Sequence, residues 1–202
     1  MPEQPSTLRA RRRTETQRLI QAHAVRLFTE RGYDATAVTD VAEAAGVSPM
    51  TVYRHFPTKE DLVLAGQEAR LVAERIAASP AGRPLVRRIG LALVEAATES
   101  TGSGEGLTAD GRFLLARLRL MITTPALRAR HLDNQYALQQ AIVTALDDGG
   151  DGHDAFRAQA ATGACLAALH TALVRWAEDD GRTALPGLIT EAFAAAFGGQ
   201  AP

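Results

Sequence analysis

Six side chains from Pro49 to His55 carry groups that suit contact with a nucleic acid. Val52 and Phe56 stand four residues apart and form the buried edge of a short helix, which leaves the six on its outer arc. They are Pro49, Met50, Thr51, Tyr53, Arg54 and His55. A solvated face would carry mostly Glu and Lys, whereas this arc offers hydroxyls, an imidazole, a guanidinium and an apolar thioether. The arc is therefore predicted to enter a groove of DNA. The alternative is that these helices merely pack together.

A second short helix precedes this one and is joined to it by a tight turn. Its apolar residues recur at i, i+3, i+4 and i+7 and form a narrow buried stripe: Val38, Val41, Ala42 and Ala45. Thr36 is expected to cap its N-terminus. Gly46 supplies the left-handed residue that ends it, and Val47 can fold back on the stripe. Ser48 caps the next helix, with Pro49 at its first position. This stretch is predicted to be a helix-turn-helix.

A third helix is predicted to begin beside Lys59, where Thr58 and Asp61 have the spacing of a capping pair. Free backbone amides and an ammonium group converge there, so we expect an anion site. The apolar pattern then continues for roughly twenty residues towards Ser79. One helix would therefore run from the DNA surface into the C-terminal body and act as a lever. Gly66 within it would either permit close packing or soften the helix.

The first 13 residues contain prolines and lack periodicity, so they are expected to form a mobile basic arm. Thr14 and Gln17 have a capping-box spacing, which predicts that the first helix begins at Thr14. Between residues 8 and 18 a single acid, Glu15, accompanies five arginines: Arg9, Arg11, Arg12, Arg13 and Arg18. Such an arm can reach phosphates or a minor groove. Its alternative role is that of a solubilising tail.

Short motifs between Gly32 and Leu62 occur in a characteristic combination: Gly32-Tyr33, Thr36, Val41-Ala42, Ala45-Gly46-Val47-Ser48, Thr51-Val52-Tyr53, His55-Phe56 and Lys59-Glu60-Asp61-Leu62. In this combination the chain resembles, over about residues 14–65, the N-terminal domain of TetR-type transcriptional regulators. The resemblance implies that Thr51, Tyr53, His55 and Lys59 hold phosphates. It also implies that Pro49, Met50 and Arg54 face base edges. Thr39 departs from the family pattern, because many relatives place there an arginine that reaches a base.

The complete set of residues expected at the DNA surface joins this domain to the basic arm. It consists of Arg11, Arg12, Arg13, Thr36, Thr39, Ser48, Pro49, Met50, Thr51, Tyr53, Arg54, His55 and Lys59. The net charge of the whole chain is −1, so affinity for DNA must come from this local placement of cations.

The amino-acid composition limits which classes of protein and which kinds of site are possible. The 202 residues, 46% hydrophobic and 22% charged, are typical of a globular protein with one or two domains. No apolar run reaches the 18 residues of a membrane span and no secretory signal is visible, so we expect a cytoplasmic protein without membrane contact. No nucleophile–base spacing, glycine-rich phosphate loop or zinc pattern occurs, so no catalytic residue, cofactor or metal is expected. Residues 147–152 resemble a calcium loop only superficially and are expected to be solvated.

The rest of the chain shows helical periodicity, so the expected fold class is all-α. The expected domains are the arm at residues 1–13, a helix-turn-helix domain at 14–62, and a helical effector-binding and dimerisation domain at 63–202.

A small-molecule pocket is expected among bulky or polar residues on otherwise aliphatic helix faces: Phe113, Arg117, Met121, Tyr136, Gln139, Cys165, His170 and Trp176. Ordinary packing or exposure is the alternative for each, and Cys165 fits a small buried hydrophobe better than a redox centre. If Arg117 points inward, it requires an anion such as a carboxylate on an apolar ligand.

Two alanine-rich helices, at about residues 154–178 and 185–197, close the chain. Their bulky residues are the candidates for a homodimer interface: Leu166, Leu169, Leu173, Leu188, Ile189, Phe193 and Phe197. The alternative is that they complete one subunit's own core. The resemblance favours a dimer, since TetR-like proteins pair through their last two helices.

The resemblance also implies a repressor that binds a near-palindromic double-stranded DNA operator and is released by a small-molecule effector. A partner-binding or architectural protein without an effector is the alternative.

Overall fold

The computed structural model describes residues 5–65, 68–80, 82–102, 106–148, 154–200 and 202. Within these ranges the chain forms α-helices and one short 3-10 turn, and no β-strand occurs, which confirms the all-α prediction. The N-terminal helices are α1 (Pro5–Arg31), α2 (Val38–Ala44), α3 (Pro49–His55) and α4 (Asp61–Leu64). The helical body consists of α5 (Glu68–Ala78), α6 (Leu85–Thr101), α7 (Ala109–Thr123), α8 (Pro125–Asp148), α9 (Ala155–Glu178) and α10 (Leu185–Phe197).

The turn between α2 and α3 has the predicted geometry. Gly46 adopts φ +66°, and the amide of Val47 donates to the carbonyl of Ala42 at 3.0 Å, which closes the C-terminus of α2. The Ser48 hydroxyl accepts from the amide of Thr51 at 3.2 Å and so caps α3. These local bonds fix the orientation of α3 relative to α2.

Thr36 does not cap α2, contrary to the prediction. The N-cap is Ala37, and the Asp40 carboxylate accepts from the amide of Ala37 at 2.8 Å. The Thr36 side chain is only 1% exposed, and its hydroxyl donates to the carbonyl of Gly32 at 2.9 Å. It therefore closes the turn that follows α1, because the end of that helix leaves a free carbonyl within its reach.

The first helix begins at Pro5 rather than at Thr14, so the prediction of a mobile arm is wrong for residues 5–13. Residues 1–4 lie outside the described part of the chain. Proline is well suited to the first position of a helix, and the run of leucine, arginine and alanine that follows has high helix propensity. The arginines of this segment are consequently carried on a helix.

The predicted lever from Thr58 to residue 78 is not one continuous helix. It is divided into α4 and α5, because Ala65 has an extended backbone with ψ 132°. The carbonyl of Ala65 accepts from the side-chain amide of Gln21 at 2.7 Å, so a tertiary hydrogen bond takes the place of a helical one. Gly66, which was expected to matter within the lever, lies outside the described residues.

The helical body packs α9 against α6, α7, α8 and α10, and packs α5 against α6 and α8. Trp176, Ile89 and Phe193 lie at the centre of its core with none of their surface exposed. Gly90 lets α6 approach α10 closely, since an added Cβ would meet the Phe193 ring at 2.9 Å. Of the loop expected at residues 147–152, residues 147 and 148 belong to the end of α8, and residues 149–152 lie outside the described ranges. In the described part no helix is long and apolar enough to cross a membrane.

Candidate nucleic-acid interface and interior polar cluster

Helix α3 presents an exposed surface of the predicted composition. Val52 is fully buried, whereas Met50 is 75% and Tyr53 50% exposed, which is unusual for large apolar side chains on a surface without a partner. Ser48, Pro49 and Arg54 are also exposed, as is Thr39 on α2. Six of the thirteen predicted DNA-facing residues are therefore exposed on or beside α2 and α3.

The N-terminal part of α1 lies beside the end of α3 and the two helices enclose a cleft of about 490 Å³. Its lining combines cations from α1 with the last residues of α3: Arg9, Arg12, Arg13, Thr16, Arg54 and His55. No carboxylate belongs to this lining. The predicted arginines 12 and 13 thus join α3 in one basic cleft, while Arg11 is exposed elsewhere on α1. A surface of this charge attracts phosphates.

One ring nitrogen of His55 lacks a hydrogen-bond partner in this cleft. Its Nδ1 is shielded from solvent and has no hydrogen-bond partner among the described residues. Burial lowers the pKa of the imidazole, and the charges of Arg54 and Arg13 lower it further. An anion that entered the cleft would reverse the effect of the two guanidinium groups.

Lys59 has a structural partner that the sequence pattern did not reveal. Its ammonium group donates to the carbonyl of Tyr33 at 2.6 Å and lies 4.2 Å from the centre of the Tyr33 ring. It lies 5.5 Å from the ring of Phe28 as well. Lys59 therefore holds the turn after α1 against the start of α4. An ammonium group has three N–H donors, so two remain for a phosphate.

The start of α4 is held by the predicted capping pair. The amide of Thr58 donates to Oδ2 of Asp61 at 3.1 Å, and the amide of Asp61 donates to the Thr58 hydroxyl at 3.2 Å. Asp61 is 8% exposed. Its second oxygen, Oδ1, accepts from Nη2 of Arg130 on α8 at 2.9 Å.

A second arginine from the body also contacts α4. Nε of Arg117 on α7 donates to the carbonyl of Val63. Arg130 and Arg117 together thus tie the short helix α4 to α8 and α7. The spacing of Arg130 in the sequence carried no signal of this contact, because its partner is 69 residues away.

A polar cluster lies where α7, α8 and α9 meet. Nε2 of His131 and Nδ1 of His170 are 3.2 Å apart. The guanidinium of Arg117 lies 5.7 Å from the centre of the Phe113 ring. Burial, together with the positive charges of His170 and Arg117, lowers the pKa of His131 to about 4. His131 was not among the sequence candidates, although its position four residues after the buried Leu127 places it on the inner side of α8.

The other pocket candidates lie elsewhere, in the core or at the surface of the helical body. Met121, Cys165 and Trp176 are core residues at 1%, 0% and 0% exposure, and burial raises the pKa of the Cys165 thiol to about 12. Tyr136 is 63% exposed on the outer face of α8. Gln139 donates to the carbonyl of residue 159 at 2.7 Å and lines an open groove between α8 and α9. Of the eight candidates, the structure places Arg117 against Phe113 and pairs His170 with His131. In the described part no three His, Cys, Asp or Glu residues approach closely enough to hold a metal ion.

The residues predicted for a dimer interface belong to the chain's own core. Leu166, Leu188, Ile189 and Phe193 are at most 9% exposed, and Leu169, Leu173 and Phe197 pack against the core while partly buried. The prediction is wrong for the first four, because the chain itself already covers these side chains, as the ring of Phe193 against Gly90 of α6 illustrates. The outer face of α9 instead carries a stripe of small residues at helical spacing: Ala160, Ala164, Ala167 and Thr171. Helix α10 exposes a similar one: Gly187, Thr190, Ala194 and Ala195.

Two family models match the chain. Residues 20–65 match the model described as bacterial regulatory proteins, tetR family, and residues 101–199 match that described as the MftR C-terminal domain. The chain is 34% identical over 157 residues to the HTH-type transcriptional regulator TcmR of Streptomyces glaucescens, across 74% of this chain and 68% of the relative. A stretch of 40 residues is 50% identical to the HTH-type transcriptional repressor KstR2 of Rhodococcus jostii, across 20% of each protein.

Solved structures share the fold. NalD of Pseudomonas aeruginosa, the secondary repressor of a multidrug efflux pump, superposes with a TM-score of 0.58 at 21% identity, covering 91% of this chain and 96% of that one. FadR of Thermus thermophilus, a transcriptional repressor solved with lauroyl-CoA, superposes with a TM-score of 0.52 at 21% identity, covering 91% and 94%. At this level of identity the similarity concerns the fold alone.

Proposed function

Since the chain belongs to the tetR family of bacterial regulatory proteins and is a helix-turn-helix transcriptional regulator, we propose that it is a dimeric repressor of a near-palindromic operator, released by a small-molecule effector. The observation that carries the proposal is the surface of α3. It exposes large apolar and hydrogen-bonding side chains next to a cleft lined by cations and free of carboxylates. A major groove is the binding partner that matches both features.

The contacts divide into two kinds. Met50 and Arg54, exposed on α3, are proposed to meet base edges, with Arg54 able to bind a guanine through two hydrogen bonds. Tyr53, His55 and Lys59 are proposed to contact phosphates. The buried Thr36 is excluded from direct contact and supports the turn before α2 instead.

The N-terminal extension of α1 is proposed to contact the backbone that flanks the groove. Arg9, Arg12 and Arg13 occupy one side of the helix and line the cleft with the end of α3. Because these cations are carried on a helix, they lose less conformational entropy on binding than a disordered arm would.

A dimer is proposed to form through the exposed small-residue faces of α9 and α10. Small side chains allow helix axes to approach closely, which permits extensive backbone-level packing between two copies. A two-fold axis through this face would place two α3 helices in successive major grooves, about 34–36 Å apart or a multiple of that distance. A pivot of either subunit then disturbs both half-sites.

An effector is proposed to act through the body that holds α4. The contacts of Arg117 and Arg130 with α4 give this body a direct hold on the element beside the DNA surface. Fold relatives named FadR were solved with lauroyl-CoA and stearoyl-CoA, which shows that this fold accommodates ligands in those proteins. The second candidate function, constitutive DNA binding without an effector, uses the same α3 surface.

The test begins with selection of an operator from random double-stranded DNA, followed by fluorescence anisotropy. Arg54→Ala should cost about 1–3 kcal/mol on the selected operator and little on random DNA. Arg157→Ala, an exposed arginine on α9, is the matched control and should change neither affinity. Absence of any preferred sequence would contradict the regulator.

The effector half of the proposal requires a separate experiment. Compounds that raise the melting temperature bind the native state and stabilise it by RT ln(1 + [L]/Kd). Such compounds are then titrated into the protein–operator complex, and release of the operator is expected. Stabilising compounds that leave operator affinity unchanged would favour the constitutive binder.

A further inference from the structure

We propose that the cleft between the start of α1 and the end of α3 binds a small molecule with adjacent phosphate groups, such as a nucleoside triphosphate, and that this molecule competes with DNA. The inference rests on the proposed function for the competition alone, since the same cleft is proposed there to hold the DNA backbone. Free polyphosphate and the DNA backbone both present phosphate oxygens, so the test must separate these two sources.

The residues of α1 that line the cleft share one face of that helix. Arg9, Arg12, Arg13 and Thr16 stand at i, i+3, i+4 and i+7, which is the spacing of a single helical face. The Thr16 hydroxyl donates to the carbonyl of Arg12 at 2.9 Å, so its proton is already engaged within the helix. The three guanidinium groups are therefore the donors that α1 offers to a ligand in the cleft.

The four arginines that line the cleft have no carboxylate partner within the described ranges. Elsewhere in the molecule such partners are present, as in the pairs Arg26–Glu30 and Arg119–Asp180. Like charges around one space repel one another, and an anion that binds between them relieves this repulsion. A multiply charged anion would consequently be stabilised in the cleft.

The electrostatic environment of the cleft is visible at His55. Burial lowers the pKa of its imidazole most, and the positive charges of Arg54 and Arg13 lower it further. No carboxylate is among the groups that act on this pKa. The positive potential at the end of α3 is therefore not offset by the chain itself.

The volume and the lining of the cleft indicate the class of ligand. Its volume of about 490 Å³ lies within the range of small-molecule sites, which is roughly 300–1,000 Å³. A guanidinium group can pair with two oxygens of one phosphate, so four of them suit several phosphates in a row. Among the lining residues the imidazole of His55 is the only ring. Recognition would therefore depend on the phosphate chain and not on the identity of a nucleobase.

Arg54 connects this site to the reading of DNA. Its side chain lines the cleft and is exposed on α3, where it is proposed to meet a base edge. A polyphosphate that binds Arg54 removes this donor from the major groove and occupies the place of the DNA backbone. Each ligand then weakens the binding of the other. The DNA-binding domain would thus respond to a phosphorylated metabolite independently of an effector in the helical body.

Isothermal titration calorimetry of the full-length protein with inorganic tripolyphosphate and with orthophosphate tests the site, at an ionic strength held constant with KCl. Tripolyphosphate should bind about tenfold or more tightly than orthophosphate, because it engages more than one guanidinium group. ATP and GTP should bind about as tightly as tripolyphosphate. Arg12→Gln and Arg13→Gln should each weaken the binding of tripolyphosphate about fivefold.

The matched control is Arg18→Gln, which removes an exposed arginine from the opposite face of the same helix. It should weaken the binding of tripolyphosphate by less than about twofold. Arg13→Lys keeps the charge without the planar fork and should restore part of the affinity that Arg13→Gln loses. Glutamine is a good helix former, so the melting temperatures of the variants should equal that of the wild type. Equal losses in Arg13→Gln and Arg18→Gln would reflect net charge alone and would overturn the site.

Fluorescence anisotropy with labelled operator and labelled random duplex separates the two sources of phosphate. Tripolyphosphate should displace the protein from both duplexes, with an inhibition constant that matches its Kd from calorimetry. If the cleft serves DNA alone, Arg12→Gln and Arg13→Gln weaken DNA binding while tripolyphosphate shows no preference over orthophosphate, which overturns the inference. Tripolyphosphate that binds without displacing either duplex overturns the competition. Displacement of a protein that prefers no DNA sequence would support the polyphosphate site and contradict the proposed function.

Discussion

Asp61 and Arg130 join the DNA-facing end of the molecule to its helical body through one carboxylate. Oδ1 lies 2.9 Å from Nη2 of Arg130, and Oδ2 accepts the amide of Thr58 at 3.1 Å. The Asp61 side chain is 11% exposed and that of Arg130 40% exposed. The same group thus holds the loop that precedes α4 and anchors the first residue of α4 to α8.

Replacement of Asp61 by Asn tests this double role. The amide retains one acceptor for the cap but loses the charge that binds Arg130, so the free energy of unfolding should fall by about 1.5–3 kcal/mol. Arg130→Gln should cost less, because the guanidinium is more exposed. The measurement is urea denaturation of both single variants and the double variant. Additive losses, with no coupling energy above about 0.5 kcal/mol, would show that the two residues do not act together.

Lys59→Ala should affect both stability and DNA binding. The loss of the bond to the Tyr33 carbonyl and of the contact with the Tyr33 ring should lower the free energy of unfolding by about 1 kcal/mol. Affinity for every DNA sequence should fall about equally, and the salt slope should decrease by roughly one unit per half-site. Salt titrations on operator and random DNA measure this. A loss confined to the operator would place Lys59 among the base-reading residues.

DNA affinity should rise as the pH falls below 7. Burial, Arg54 and Arg13 lower the pKa of His55 in the free protein, so the imidazole is neutral near pH 7. A phosphate in the cleft raises that pKa, so binding takes up a proton and becomes tighter as pH falls, by at most about tenfold per pH unit for each proton. His55→Gln should flatten this dependence. Anisotropy titrations between pH 5.5 and pH 8 with a pH-independent slope for the wild type would remove His55 from the phosphate contacts.

His131 should make the stability of the protein depend on pH in the acid range. Its pKa is about 4 in the folded protein against an ordinary 6.5, so the unfolded chain binds the proton more readily. The contribution is therefore complete above pH 6.5 and is lost as the pH falls towards 4. Thermal melts of the wild type and of His131→Gln should converge at low pH. Parallel pH profiles for the two proteins would contradict the assignment.

The proposed dimer is best tested on the exposed face of α9. Ala164→Arg adds a long charged side chain to the small-residue stripe and should shift the protein to monomer in sedimentation velocity experiments. Leu173→Arg is less informative, because this leucine packs against the subunit's own core and its loss should lower stability as well. Ala137→Arg on the exposed side of α8 is the control and should remain a dimer. A dimer that persists in Ala164→Arg would exclude this face.

Local chemistry explains which features were predictable. The turn at Gly46, the cap at Ser48 and the reciprocal pair of Thr58 and Asp61 depend on residues at most five apart, and all were predicted. The bounds of α9 and α10 were also predicted, since alanine-rich amphipathic patterns flanked by Asp154 and by Leu185 with its following proline are strong local signals.

The features that were missed depend on distant partners. At the break, the carbonyl of Ala65 accepts from the side chain of Gln21, 44 residues earlier, and arginines on α7 and α8 hold α4. Helical periodicity predicts which face of a helix is buried but not which other element covers it. For the same reason Leu188 and Phe193 were correctly expected to be buried, yet were assigned to a partner subunit instead of to α6.

The two arginine contacts with α4 differ in whether they depend on the identity of the residue that they bind. Arg117 binds a backbone carbonyl, which any residue at position 63 supplies, whereas Arg130 binds the side chain of Asp61. A chimaera that places the DNA-binding domain of a relative on this body would thus keep the first contact automatically. It would keep the second only if the grafted domain carries a carboxylate at position 61. That single acidic residue is the compatibility requirement for exchanging operator specificity between such proteins.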